Sequence, residues 1–422
     1  MATPSGTPAP GPVVVIGAGA AGLLAALAAA RAGAPVVLLE RTPDGGRKIL
    51  ISGGGRCNIL PAEAQPERYV TDSSPNTLRR MLRSWPLAEQ RAFFERELGM
   101  RLVLEEESAK LFPETHRARD VRDRLLERVR EAGARVWMGA TVEDAAPPSG
   151  GGGAAWTVAL AGAPPVAAAA VVLATGGLSV PATGSDGIGL DIARRLGHEL
   201  HPTYPALTPL LADPPVHGDL AGVSLDVTLH APGARPRFVT TGGFLFTHRG
   251  YSGPTVLDAS HLAVRSALGG GEHQPITVRW TGLDFEGWER ALVEGRGAVG
   301  TRVARDLPAR LADRLIQEAG VHPAESLARL AKGPRRRLAA LLADYPLPWT
   351  GDEGYRKAEV TGGGVALGEV DPATLESRRH PGLFLCGEIL DAFGPIGGHN
   401  FLWAWATGRA AGLGAAGRVL GA

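Results

Sequence analysis

Gly17-Ala18-Gly19-Ala20-Ala21-Gly22 follows four apolar residues, Val13–Ile16, and precedes a run of strong helix formers, Leu23–Ala32. A G-x-G-x-x-G turn between a strand and a helix is what the pyrophosphate of a dinucleotide needs. The glycines allow a tight turn and a close approach of backbone to phosphate, and the helix start offers N–H groups and a positive dipole end. Ala20 and Ala21 open that helix and take part through their backbone. The motif is weak alone, but here "PVVLLE" follows as a second strand ending in Glu40. A carboxylate about twenty residues on can accept both adenosine ribose hydroxyls. Its charge repels a 2′-phosphate, which favours FAD or NAD over NADP.

The stretch "GGRKILISGGGRCN", Gly45 to Asn58, comes straight after Glu40 and Arg41 and carries five glycines, three cations and a cysteine. In that place it runs back over the dinucleotide. Arg47 and Lys48 suit pyrophosphate or flavin oxygens. The glycines around Gly54 let the backbone pass a flat ring, and Arg56 and Asn58 add donors. Cys57 lies among these cofactor contacts and reads as a small buried residue rather than a redox thiol.

Two later segments separate FAD from NAD. "VVLATGG" ends a strand at Ala174, Thr175 and Gly176, and "GLFLCGEILD" ends another at Gly387-Glu388. An extended FAD needs a second contact at its ribitol, and a glycine–acid pair at a strand end supplies it. "GPIGGHNFLWAWATGRAAG" then opens a helix at Gly398, His399, Asn400 and Phe401. Its positive end suits the flavin N1/O2 edge, where negative charge develops on reduction. The cofactor expected is non-covalent FAD.

Strand, helix and strand in succession at the start demand an α/β fold with a parallel sheet. "DVRDRLLERVREAG" has helical spacing, with Val121, Leu125 and Val129 on one side. Three short strand-like runs follow, the first two punctuated by the loop tip Gly150–Gly153. From residue 200 the pattern turns to short β segments with Pro and Gly, and from 301 helix formers dominate. A final Ala-rich helix starts near Phe401. These shifts give an FAD-binding domain over 12–199 and 355–422, an inserted β-rich substrate domain over 200–300, and a small helical domain over 301–354. Residues 1–11 read as a frayed tail rather than a signal peptide.

The chain has 422 residues, 44 Lys plus Arg, 43 Asp plus Glu, and two cysteines. The near-zero net charge argues against a nucleic-acid partner, and the cysteine count excludes a disulfide framework and a zinc ribbon. The run Arg335–Arg337 reads as a solvated helix face. A cytoplasmic protein with no membrane partner is expected, and a homodimer is open.

The segments "GRKILISGGGRCN", "VLATGGLSVPATGSDGIGLDIARRLGH", "FLFTHRGYSGPTVL", "AEVTGGGVALGEVDPATLES" and "GLFLCGEILDAFGPIGGHNFLWAWATGRAAG" together resemble the BaiN-type family of FAD-dependent oxidoreductases. That family includes bile-acid dehydro-reductases and aminoacetone oxidases, and the resemblance covers Val13 to about Gly412. It implies a glutathione-reductase-like Rossmann domain interrupted by a β-barrel-like domain and a small helical domain. It also implies FAD contacts at Gly17, Gly19, Gly22, Glu40, Lys48, Arg56, Asn58, Thr175, Gly176, Glu388 and Asn400, with Val142 meeting adenine through its backbone. One departure stands out: members often carry Tyr where this chain has His399.

Flavin chemistry needs no protein nucleophile, so proton donors and orienting groups are sought instead. His399 beside the flavin, and His248 and Tyr251 in "FTHRGYSGP", are the candidates. The substrate pocket is expected between the FAD domain and the insertion. No second G-x-G-x-x-G opens a βαβ unit, so NADH or NADPH as a transient reductant would use the substrate cleft in turn with the acceptor. The reading is reduction of a small unsaturated or carbonyl-conjugated molecule. The alternatives are an oxygen-using amine oxidase that releases hydrogen peroxide, flavin-dependent transfer to RNA, and a non-catalytic FAD-binding protein.

Overall fold

A computed structural model of the chain describes residues 11–148, 155–270 and 273–421. The expected tail up to residue 10 and the loop tip Gly150–Gly153 lie outside the described residues. The chain forms two compact units, one from residues up to Thr203 together with Val360 onward, the other from Tyr204–Glu359.

The first unit is built on five parallel strands: β1 (Val13–Ile16), β2 (Val36–Glu40), β3 (Arg135–Met138), β4 (Ala170–Leu173) and β5 (Leu383–Leu385). They lie in the order β3-β2-β1-β4-β5. The direction of winding reverses between β1 and β4, which opens a crevice at the carboxyl ends of the strands. β1 pairs on both sides, Val14 with Val37 and Val171. Helices cover both faces of such a strand, which explains its unbroken apolar run.

The helices that matter for the site are α1 (Ala20–Arg31), α2 (Arg47–Ile51), α3 (Pro75–Arg83), α4 (Ala118–Glu131) and α5 (His399–Leu420). Val121, Leu125 and Val129 form the fully buried stripe of α4. α1 is almost wholly Ala, Leu and Gly because α5 presses against it. A Cβ at Gly408 would lie 2.3 Å from the carbonyl oxygen of Ala21, and one at Gly412 would lie 2.2 Å from that of Ala25. Between β3 and β4 the chain makes a three-stranded antiparallel excursion through Val142–Ala146, Trp156–Leu160 and Ala163–Ala168.

The second unit holds a seven-stranded antiparallel sheet centred on Ser224–Ala231 and Phe238–Thr247. Its pairing runs from one edge strand, Tyr345–Pro346, to another, Gly351–Asp352, so the strand order is open rather than closed among the described residues. Residues 301–354 share one apolar core with the sheet: Leu311, Leu315, Leu338 and Leu342 belong to the same cluster as Leu229, Phe244, Phe246 and Trp280. The segment read as β-rich also contains a long helix, Pro254–Leu268. Among the described residues no helix is long and apolar enough to cross a membrane.

Candidate flavin site

The parallel register brings the sequence candidates to one edge of the sheet. Gly17 follows β1, Glu40 ends β2, Val142 opens the excursion after β3, Ala174–Gly176 follow β4, and Gly387 follows β5. The turn is glycine for steric reasons that differ by position. A Cβ on Gly17 would come within 2.6 Å of the Ala174 carbonyl oxygen, and one on Gly22 within 1.8 Å of the Gly17 carbonyl oxygen. Gly19 is different: a Cβ there meets nothing within 4 Å. Open space over the first turn of α1, where Ala20 and Ala21 present their backbone, is where a pyrophosphate would lie.

Glu40 is buried at the end of β2, and its carboxylate organises the loop. Oε2 accepts from the Ala18 N–H at 2.8 Å, and Oε1 accepts from the Thr42 N–H at 2.7 Å and the Thr42 hydroxyl at 2.6 Å. The carboxylate is thus fixed beside the glycine turn with acceptor capacity left for ribose hydroxyls. Arg41 pairs with Asp186, and Arg47 pairs with Asp44 at 2.7 Å.

The glycine-rich stretch forms α2, whose C-terminal end passes into a tight turn. Gly53, Gly54 and Gly55 all have positive φ, at 55°, 66° and 85°. Three left-handed residues in a row demand glycine. Cys57 follows with φ 61°, a conformation costly for a side chain and concentrated at functional sites. Its thiol is fully buried, and burial pushes it up to about 12, so it is no thiolate. Arg56 lies 4.4 Å over the Phe112 ring and pairs with Glu105 at 2.8 Å. Asn58 sits with its backbone N–H against Gly53.

Lys48 and Glu388 meet across 340 positions. The Lys48 ammonium donates to Glu388 Oε2 at 2.5 Å and to the Ser179 hydroxyl at 2.5 Å. Glu388 Oε1 accepts from the Ser179 hydroxyl, from the Thr361 N–H at 3.0 Å and from the Thr361 hydroxyl at 2.9 Å. The carboxylate read as a ribitol acceptor is therefore also the hub that fixes the lysine. Ser179 and Thr361 escaped sequence reading although both lie beside quoted glycine runs. Thr175 Oγ1 is buried without a partner, packed where a side chain at Gly189 would fall.

Gly398, at φ 97°, starts α5 and lies so close to Leu60 that a Cβ would sit 2.6 Å from its carbonyl carbon. Asn400 closes the preceding loop by a reciprocal pair of bonds with the backbone of Gly394, at 2.9 and 3.0 Å. Phe401 stacks on Trp405. His399 is 6% exposed, its ring buried beside the backbone of Ile396 and Glu63. Burial, and then the nearby Arg68 charge, hold its pKa down to about 4, so the imidazole is neutral near pH 7. Tyr69 lies edge-on to it and donates its hydroxyl to the His399 carbonyl oxygen at 2.6 Å.

The two candidates from the insertion are placed differently. Tyr251 is fully buried in the second core, its hydroxyl 2.8 Å from His217 Nδ1. Burial and the Glu318 charge push its pKa well up. His217 in turn contacts Glu318 and Tyr345, which makes a closed internal network. His248 is exposed on the turn between Phe238–Thr247 and Gly250–Ser252.

The chain matches the HI0933-like protein Rossmann domain over residues 11–414. It belongs to that family. With the FAD-fitting cradle, this makes it an FAD-dependent oxidoreductase, as the BaiN-type resemblance implies. It is 33% identical over 406 residues to the ribosomal RNA dihydrouridine synthase of Escherichia coli (strain K12), covering 93% of this chain and 95% of that one. It is 32% identical over 419 residues to the 3-dehydro-bile acid delta(4,6)-reductase of Clostridium scindens, covering 96% and 98%. Among solved structures, the 3-ketosteroid delta1-dehydrogenase of Sterolibacterium denitrificans aligns with a TM-score of 0.53 at 14% identity, covering 96% of this chain and 99% of that one. A flavocytochrome c3 fumarate reductase aligns at 0.52 and 17%, covering 99% and 80%. These two show the shared fold.

Proposed function

We propose that this family member reduces a carbon–carbon double bond conjugated to a carbonyl, with NADH or NADPH as reductant, and that its substrate is a uridine of ribosomal RNA. One observation carries the reading: relatives with unrelated substrates are named for the same chemistry. Making dihydrouridine saturates a C=C bond conjugated to the C4 carbonyl of uracil, and a 3-dehydro delta(4,6)-reductase saturates a C=C bond conjugated to a 3-oxo group. RNA is favoured over a steroid because a second relative, from Haemophilus influenzae, carries the RNA name at 30% identity across 95% of this chain.

A bound FAD would supply two-electron chemistry, by which a hydride from NAD(P)H would reach the uracil C6 and a proton would go to C5. The chain's part is to bind and orient. Glu40 and the Gly17–Gly22 turn hold the dinucleotide, and the Lys48–Glu388 pair fixes the middle of the site. His399 offers a neutral N–H to a carbonyl that gains charge as hydride arrives. With a pKa of about 4 it is a hydrogen-bond donor and not the proton source at neutral pH.

The test incubates the FAD-loaded protein with NADPH and protein-free ribosomal RNA from cells lacking this enzyme, then counts dihydrouridine in the nuclease digest by mass spectrometry. New dihydrouridine that depends on both protein and NADPH supports the reading. RNA left unchanged, with turnover of a dienone steroid instead, would move the substrate to small molecules.

A further inference from the structure

A groove in the first unit runs between the C-terminal half of α5 and residues 373–376, with Ser84 at its rim. Two guanidiniums line it, Arg409 and Arg418, against one carboxylate, Glu376. Glu376 is already engaged: its Oε1 accepts from the Gly382 N–H at 2.8 Å and from Arg418 at 3.1 Å. Arg409 lies 5.2 Å over the Trp85 ring and has no carboxylate partner among the described residues. Ser84 caps α3, and Arg80 stands one turn before it on the same face, with Arg83 adjoining. Both arginines are exposed, and neither is in an ion pair among the described residues.

Part of this charge has a local reason. Arg80, Arg83 and Arg418 lie in the last turns of α3 and α5, where cations offset the negative helix end. Arg409 is in the middle of α5, and no helix end accounts for it. Two guanidiniums line the groove against one engaged carboxylate, and the exposed Arg80 and Arg83 stand within one helical turn of Ser84, so this face carries more cations than anions. Planar guanidiniums match phosphate oxygens in pairs.

We propose that this groove binds the phosphodiester backbone of the RNA whose base is reduced. The proposal rests on the reading of the substrate as ribosomal RNA. α5 links the two places: His399 is its first residue, and Arg409 follows about 15 Å further along the helix at 1.5 Å per residue. A single rigid helix thus carries the flavin-edge residue at one end and the groove towards the other. A nucleotide drawn into the flavin site keeps its flanking backbone within reach of the arginines. Phosphate contacts of this kind set position and register without reading sequence.

The experiment compares wild-type protein with the variant Arg80→Glu/Arg83→Glu and with Arg409→Gln, all loaded with FAD. Filter binding of protein-free ribosomal RNA is measured from 50 to 300 mM salt, with flavin content and NADPH-driven flavin bleaching as controls. The expected result is at least tenfold weaker binding by the double variant, and a log–log salt slope shallower by about 1 to 2. Arg409→Gln, which removes one contact, weakens binding less, and both variants bleach like wild type. Equal affinity and slope for all three proteins would overturn the groove while leaving uridine reduction standing. A wild-type protein that binds no RNA would overturn both.

Discussion

Gly19 and Gly22 sit three residues apart in one turn, yet each is glycine for its own reason. Gly22 has the Gly17 carbonyl oxygen 1.8 Å from where its Cβ would be, whereas Gly19 faces open space. Gly19→Leu should therefore keep the wild-type melting temperature and raise the FAD Kd tenfold or more. Gly22→Ala should lose stability by several kcal/mol, the scale of a forced backbone clash. Equal FAD affinity in Gly19→Leu would show that the cofactor does not pass over the turn. Cys57 gives a second check, because its thiol is buried and pushed up to about 12. Native protein at pH 8 should resist iodoacetamide at Cys57, and only unfolded protein should be labelled. Rapid labelling of the native form would restore a redox reading. The sequence pattern pointed to a small buried cysteine, but its positive φ was not legible, since only the completed turn imposes it.

At the scale of elements, the part of the site made by local chain was readable. β1, α1 and β2 fall where apolar run, glycine turn and helix formers place them, because their signals lie within about thirty residues. Contacts across sequence were not readable. Glu388 appeared as a lone acid after a strand, yet it serves Lys48, Ser179 and Thr361 as well. Tyr251 looked polar among glycines, but strand pairing turns it into the second core, where it meets His217. The helix Pro254–Leu268 was hidden because its N-terminal Gly-Pro resembles the loop signals around it. For the Lys48–Glu388 pair, side chains 27% and 17% exposed, Lys48→Met should cost about 1–3 kcal/mol by leaving a half-buried carboxylate unpaired. The double variant Lys48→Met/Glu388→Gln should cost less than the sum of its single changes, read from urea melts. Strict additivity would mean that the pair is not coupled.

For the whole molecule, net charge averages over local patches of opposite sign. An average of about +1 is compatible with the arginine groove beside α3 and α5, because acidic and basic groups pair off elsewhere. In the conspicuous run Arg335–Arg337 each cation has its own local contact: Arg335 meets Glu289, Arg336 covers Phe285, and Arg337 donates to the Ala319 carbonyl oxygen. Buried histidines make stability sensitive to mild acid. His399 and His261, one in each unit, are both held down to about 4, chiefly by burial. Unfolded histidines take protons near 6.5, so the stability these two contribute is full above pH 6.5 and is lost as pH falls towards 4. Urea melts at pH 7.5 and pH 5 should differ, and His399→Phe should reduce the difference for the first unit. Stability that is flat over that range would contradict the buried neutral state.

The most direct measurement of the central claim is an anaerobic one. The yellow protein is bleached with NADPH or NADH, and the rate at which its colour returns is followed after adding protein-free ribosomal RNA lacking the modification, with air as the comparison. Fast bleaching by a nicotinamide, with recovery faster on RNA than in air and one dihydrouridine formed per flavin reoxidised, is the result predicted. No bleaching by either nucleotide, together with rapid reaction of a substrate-reduced flavin with oxygen, would contradict it and make the protein an oxidase.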